Sequence, residues 1–61
     1  GVIYFESQLE NIAIYDIAGH QVYVQSYAEQ SINLSLLKAG TYVLTAQSNG
    51  ENIIAKIMIT E

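Results

Sequence analysis

Ile12-Ala13-Ile14-Tyr15-Asp16-Ile17-Ala18-Gly19-His20-Gln21-Val22-Tyr23-Val24 is the stretch from which the architecture of this 61-residue chain can be read. Two alternating apolar runs flank a short segment that ends in glycine. Alternation with period two is the signature of a strand with one buried face. The spacing predicts a hairpin with a three-residue loop, Ile17-Ala18-Gly19, and Asp16 opposite His20. The last residue of such a loop sits at positive φ, where glycine costs least. This register sets Ile14 against Val22 and Ile12 against Val24, all four on one face.

A second hairpin is marked more sharply. Asn49-Gly50 is the strongest short signal for a two-residue type I′ turn. It pairs Ser48 with Glu51, Ala46 with Ile53, Leu44 with Ala55 and Tyr42 with Ile57. A one-residue slip would set apolar against polar positions, so the register is well specified. Six strands are expected: Val2 to Glu6, Asn11 to Asp16, His20 to Tyr27, Ser31 to Leu34, Thr41 to Ser48 and Glu51 to Thr60. Ser35 to Gly40 is a connection with room for one irregular helical turn. The expected core is Ile12, Ile14, Val22, Val24, Ile32, Leu34, Tyr42, Leu44, Ile53, Ile57 and Ile59. The opposite face carries Ala13, Tyr15, Tyr23, Val43, Ile54 and Met58, less polar than a solvated sheet face should be. A partner face built on Tyr15, Tyr23, Val43, Ile54 and Met58 is therefore expected.

Composition narrows the class. Isoleucine, valine, tyrosine and leucine dominate, and proline and cysteine are absent, which favours β structure and leaves no disulfide or thiolate site. Net charge is −4, and Lys38 and Lys56 are the only basic side chains. Nucleic acid and anionic membrane surfaces are not expected as partners, because both need a basic footprint. No apolar run approaches the roughly 20 residues of a membrane helix. The chain opens on Gly1-Val2-Ile3-Tyr4-Phe5, and residues 1–61 are expected to form one domain cut from a longer protein.

Catalysis needs a nucleophile beside a base, paired carboxylates in a cleft, or a metal cluster. His20 is the single histidine, and Asp16 faces it across a tight exposed turn with no oxyanion site. The better reading is that Asp16 holds the turn's amides. Glu6, Glu10, Glu29, Glu51 and Glu61 are scattered solvating charges without calcium-loop spacing. Gly19, Gly40 and Gly50 are turn glycines with no following helix to cradle phosphate. The chain is expected to be no enzyme and to need no cofactor or metal. Lys56 interrupts an apolar strand opposite Val43. Its stem can cover Ile54 and Met58, and its charge discourages stray edge pairing.

Four segments taken in order carry a family resemblance: Ile14-Tyr15-Asp16-Ile17-Ala18-Gly19-His20-Gln21-Val22, Ile32-Asn33-Leu34-Ser35-Leu36-Leu37, Lys38-Ala39-Gly40-Thr41-Tyr42-Val43-Leu44, and Ala55-Lys56-Ile57-Met58-Ile59. The set, over roughly residues 9–61, resembles the type A C-terminal sorting domain of type IX secretion in the Bacteroidota. The resemblance implies a small immunoglobulin-like antiparallel β-sandwich of six to seven strands, at the C-terminus of an exported protein. It implies a non-catalytic signal that directs a passenger from the periplasm across the outer membrane, to the cell surface or medium. The implied partners are the outer-membrane secretion machinery, a sortase-like protease and an N-terminal passenger domain. The family positions carried over are Asp16, Gly19, Gly40, Tyr42 and Lys56. The alternative reading is a structural or glycan-binding accessory module of a cell-surface enzyme, with Tyr15 and Tyr23 as its contact. The apolar first strand and outer face leave homodimerisation by strand pairing or exchange open.

Overall fold

A computed structural model describes residues 2–60. Gly1 and Glu61, the latter counted above among the solvating acids, lie outside the described residues. The chain is all-β, with β1 (Val2–Tyr4), β2 (Leu9–Asp16), β3 (Gln21–Ala28), β4 (Ser31–Asn33), β5 (Gly40–Ser48) and β6 (Glu51–Ile59). A four-stranded antiparallel sheet runs in the order β3-β2-β5-β6, and β1 pairs with β4 in a two-stranded sheet. The two sheets enclose Leu9, Ile12, Ile14, Ala28, Ile32, Leu34, Tyr42, Leu44 and Ala46. Ile53, Ile57 and Ile59 pack against this cluster, half-buried. β1 and β4 meet as Val2↔Asn33, Ile3↔Ile32 and Tyr4↔Ser31, so Ile3 and Ile32 turn inward together. The amide of Phe5 donates to Gln30 O (2.9 Å) and continues this pairing past the strand end.

The β5–β6 hairpin has the register set by Asn49-Gly50: Ser48↔Glu51, Ala46↔Ile53, Leu44↔Ala55 and Tyr42↔Ile57. Asn49 (φ 52°) and Gly50 (φ 81°) are both left-handed, as a type I′ turn requires. The connection after β4 is a single hydrogen-bonded turn with no helix. Leu37 N donates to Leu34 O (3.0 Å), and Asn33 Oδ1 accepts from Ser35 N (2.9 Å). That turn tucks Leu37 against the core and leaves Leu36 in solvent.

The β2–β3 register differs from the sequence reading, and the β2–β5 ladder carries a second irregularity, each because an extra residue enters the ladder. In the β2–β3 hairpin the loop Ile17-Ala18-Gly19 forms as expected, with Asp16 N donating to His20 O (2.9 Å). The pairing then shifts between Ile14 and Tyr15. Tyr15 faces Gln21 but Ile14 faces Tyr23, so Val22 is the additional residue. A β-bulge of this kind flips the face of every residue beyond it. Val22 and Val24 are therefore not core residues and do not pair with Ile14 and Ile12. They are 38% and 66% exposed, and Ile12 faces Gln25. Tyr23 leaves the outer face and packs against the core.

The second bulge lies between β2 and β5. Glu10 faces Gln47 but Ala13 faces Thr45, so Asn11 and Ile12 together span the place of one residue. Asn11 takes φ 50° to do this, a conformation that asparagine tolerates better than most residues. Leu9 and Ile12, three apart, consequently both point into the core. β2 thus begins two residues earlier than the strict alternation over Asn11 to Asp16 suggested.

Candidate recognition surface

The positions carried over from the family resemblance form local supports. Asp16 Oδ1 accepts from Ala18 N (3.0 Å) and His20 N (2.9 Å), which fixes the first turn. Gly19, at φ 90°, closes it by donating to Asp16 O (3.0 Å). The His20 amide is the largest influence on the Asp16 carboxyl; it outweighs desolvation and, with the Ala18 amide and the nearby imidazole, holds the group below its usual value. His20 Nδ1 lies 3.4 Å from Asp16 Oδ2, and the ring is open to solvent. The pair is brought together as expected, and its chemistry is that of a turn clasp, with no nucleophile beside it among the described residues.

Gly40 and Tyr42 act at the entry to β5. The Tyr42 ring is only 9% exposed and faces Ile57 across the ladder. Its hydroxyl donates to Lys38 O (2.7 Å), four residues upstream, and pins the connection to the strand. A Cβ on Gly40 would meet the Tyr42 ring at 3.7 Å, ordinary contact distance. The bond to Lys38 leaves no mark in the side-chain pattern, because its acceptor is a main-chain carbonyl.

The outer face of the four-stranded sheet is where exposed side chains converge. One row runs Val24–Ala13–Thr45–Ile54 across the four strands, and the next runs Gln21–Tyr15–Val43–Lys56. Met58 stands beyond, opposite Thr41. Ile54 and Met58 are 76% and 73% exposed. Lys56 is the one charged side chain in these rows, and it sits opposite Val43 as expected. Tyr15, Val43, Ile54 and Met58 are placed together on this face, but Tyr23 is not. A stacking platform of Tyr15 with Tyr23 is therefore not formed. Val22 and Val24 take its place, so the surface is more aliphatic than expected. Nothing in hydropathy distinguishes the two settings, since Val22 and Val24 are as apolar as any core pair. Only the bulge does.

An apolar cleft of about 360 Å³ opens between Val2 and Ile3 of β1 and Ile57 to Thr60 at the end of β6. Among the described residues, none that lines it is titratable. Among the described residues there is no group of acids and histidine placed to hold a metal. No helix there is long and apolar enough to cross a membrane.

Compared with known families, the chain matches over residues 2–60 the model described as the secretion system C-terminal sorting domain. No curated protein and no solved structure matches it. The match spans almost the whole chain, so the chain belongs to this family, the C-terminal sorting domain of type IX secretion. A domain of this family is a sorting signal that marks proteins for export across the outer membrane, to the cell surface or medium. It implies contact with the type IX machinery and an N-terminal passenger.

Proposed function

We propose that this member of the secretion-system sorting-domain family is a non-catalytic address, residues 1–61 forming one domain, read as a folded surface by the outer-membrane machinery. The observation that carries this reading is the aliphatic outer face of the four-stranded sheet, in a chain that matches the family along its length. A solvated antiparallel face normally carries mixed charge. Here Val22, Val24, Tyr15, Val43, Ile54 and Met58 surround a single lysine. The residues of the reading divide into two roles. Asp16, Gly19, Gly40 and Tyr42 keep the hairpins in register. Tyr15, Val43, Ile54, Lys56 and Met58, with Val22 and Val24, are the contact. The Tyr42 hydroxyl bonded to upstream main chain is also the corner device of immunoglobulin-type sandwiches, and it supports placing this one among them. A sortase-like protease that later separates passenger from signal fits the same reading.

The test is export of a periplasmic reporter fused to residues 1–61, in a host with this secretion system. The unaltered fusion reaches the cell surface or medium. Val24→Lys and Ile54→Lys together leave the fold intact and hold the reporter in the periplasm. Export at the unaltered level with both substitutions removes the face from the recognition event.

The oligomeric state follows from the strand edges. β3 and β6 are the edges of the larger sheet, and β1 and β4 each have one unpaired side. These edges are where a second copy adds by strand pairing or exchange. Light scattering over a wide concentration range reads the outcome, and a mass fixed at one chain rejects the dimer.

A further inference from the structure

We infer that Asn49 is a spontaneous modification site: its side-chain amide is lost to a cyclic imide with Gly50, and the isoaspartyl product undoes the β5–β6 hairpin. The chain has four asparagines, followed by Ile12, Leu34, Gly50 and Ile53. Ring closure needs the next residue's main-chain nitrogen to reach the asparagine Cγ. A glycine leaves that approach open, whereas a branched side chain obstructs it. Gly50 has nothing within 4 Å of where a Cβ would stand. The side chains of the other three asparagines are engaged. Asn11 Nδ2 donates to Gln47 (2.6 Å), Asn33 Oδ1 accepts from Ser35 N (2.9 Å), and Asn52 Oδ1 accepts from Gln47 Nε2 (3.1 Å). Asn49 has no such bond among the described residues, and both it and Gly50 are exposed at the hairpin tip.

The step balances without an outside oxidant or reductant. Gly50 N forms a bond to Asn49 Cγ and gives its proton to solvent, and the amide nitrogen leaves as ammonia. Water then opens the imide at either carbonyl. One opening leaves an aspartyl residue at position 49, the other an isoaspartyl residue whose main chain runs through the former side chain. Both make the chain one unit more negative than −4. Their structural consequences differ. An Asp-Gly pair suits the same type I′ turn. The isoaspartyl link adds a methylene to a two-residue turn that sets the whole ladder from Ser48↔Glu51 to Gly40↔Ile59. The register then cannot be kept at the tip. Hairpin tips open at low free-energy cost, so the reaction draws on the open population and quickens several-fold when the chain is unfolded.

The experiment is incubation of the chain in mildly alkaline buffer, with peptide mapping and enzymatic methylation of isoaspartyl groups as readouts. Position 49 converts before positions 11, 33 and 52, and faster in urea. The isoaspartyl fraction loses hydrogen-exchange protection in β6, while Asn49→Asp keeps it. Asn49→Gly, which retains the turn preference, gives no isoaspartyl signal. Conversion first at another asparagine overturns the inference. So does an unchanged position 49 over a period in which the urea-unfolded chain converts fully, or an isoaspartyl fraction with β6 protected as before.

Discussion

Replacing Tyr42 with phenylalanine removes one oxygen and tests how the connection before β5 is held. The Tyr42 ring is nearly buried against Ile57, and phenylalanine preserves that burial. What is lost is the 2.7 Å bond from the hydroxyl to Lys38 O. A hydrogen bond of this kind contributes about 0.5–1.5 kcal/mol net, and an acceptor left buried without a partner costs about 1–3 kcal/mol. Lys38 is exposed, so water can reach its carbonyl and the cost falls toward the first range. The expected loss is about 1 kcal/mol. At a stability of roughly 0.05–0.15 kcal/mol per residue that is a large share of the total. For a domain of this size it lowers Tm by about 4–8 °C. Tyr42→Ala removes the ring as well, costs about 3–5 kcal/mol, and leaves little folded protein. Urea titration followed by far-UV circular dichroism separates the two, with the m-value of Tyr42→Phe unchanged. A Tyr42→Phe midpoint equal to the unaltered one would show that the bond to Lys38 does not secure the turn. A loss as large as that of Tyr42→Ala would show that phenylalanine disturbs the ring's packing, against the geometry described.

The bulge at Val22 is tested by a contrasting pair: Val24→Lys stays within about 0.5 kcal/mol of the unaltered chain as a surface change. Tyr23→Lys costs several-fold more in the same denaturation assay, because position 23 packs on the core; the opposite order would restore the unbulged register. At position 11 the left-handed backbone predicts that Asn11→Gly is tolerated and that Asn11→Val loses about 1–2 kcal/mol, read by thermal unfolding. The pH dependence has a defined sign. Asp16 has a lower pKa folded than unfolded, so its contribution is complete above the unfolded value of about 3.9 and fades as pH falls through the folded one. Asp16→Asn flattens that acid-side loss in an acid titration followed by circular dichroism, and an unchanged acid limb refutes the assignment.

The β5–β6 hairpin was legible to the residue because Asn-Gly fixes both the turn type and the parity of the strands it joins. The first hairpin was legible in its loop and not in its faces. Val22-Tyr23-Val24-Gln25 reads equally well with valines or with Tyr23 inward. An unbulged hairpin turns the valines inward, and the bulge chooses the tyrosine. Leu9 escaped notice for a related reason. Its spacing of three from Ile12 breaks alternation, and only the left-handed Asn11 reconciles the two. Of the residues proposed for recognition, Tyr15, Val43, Ile54, Lys56 and Met58 follow from parity alone on strands whose register was secure. Val22 and Val24 join them through a backbone irregularity that no side-chain pattern announces.

Both irregularities fall on the pairings of β2, one toward β3 and one toward β5. β2 is therefore the strand at which the parity of the sheet changes. The Val22 bulge lets the Ile17–Gly19 loop and the Leu9↔Ala28 end keep different parities on one strand pair. The Asn11 step does the same between β2 and β5. The strand pair that presents Ile54, Lys56 and Met58 runs without a bulge from Ser48↔Glu51 to Gly40↔Ile59, so its alignment is set at its own Asn49-Gly50 turn.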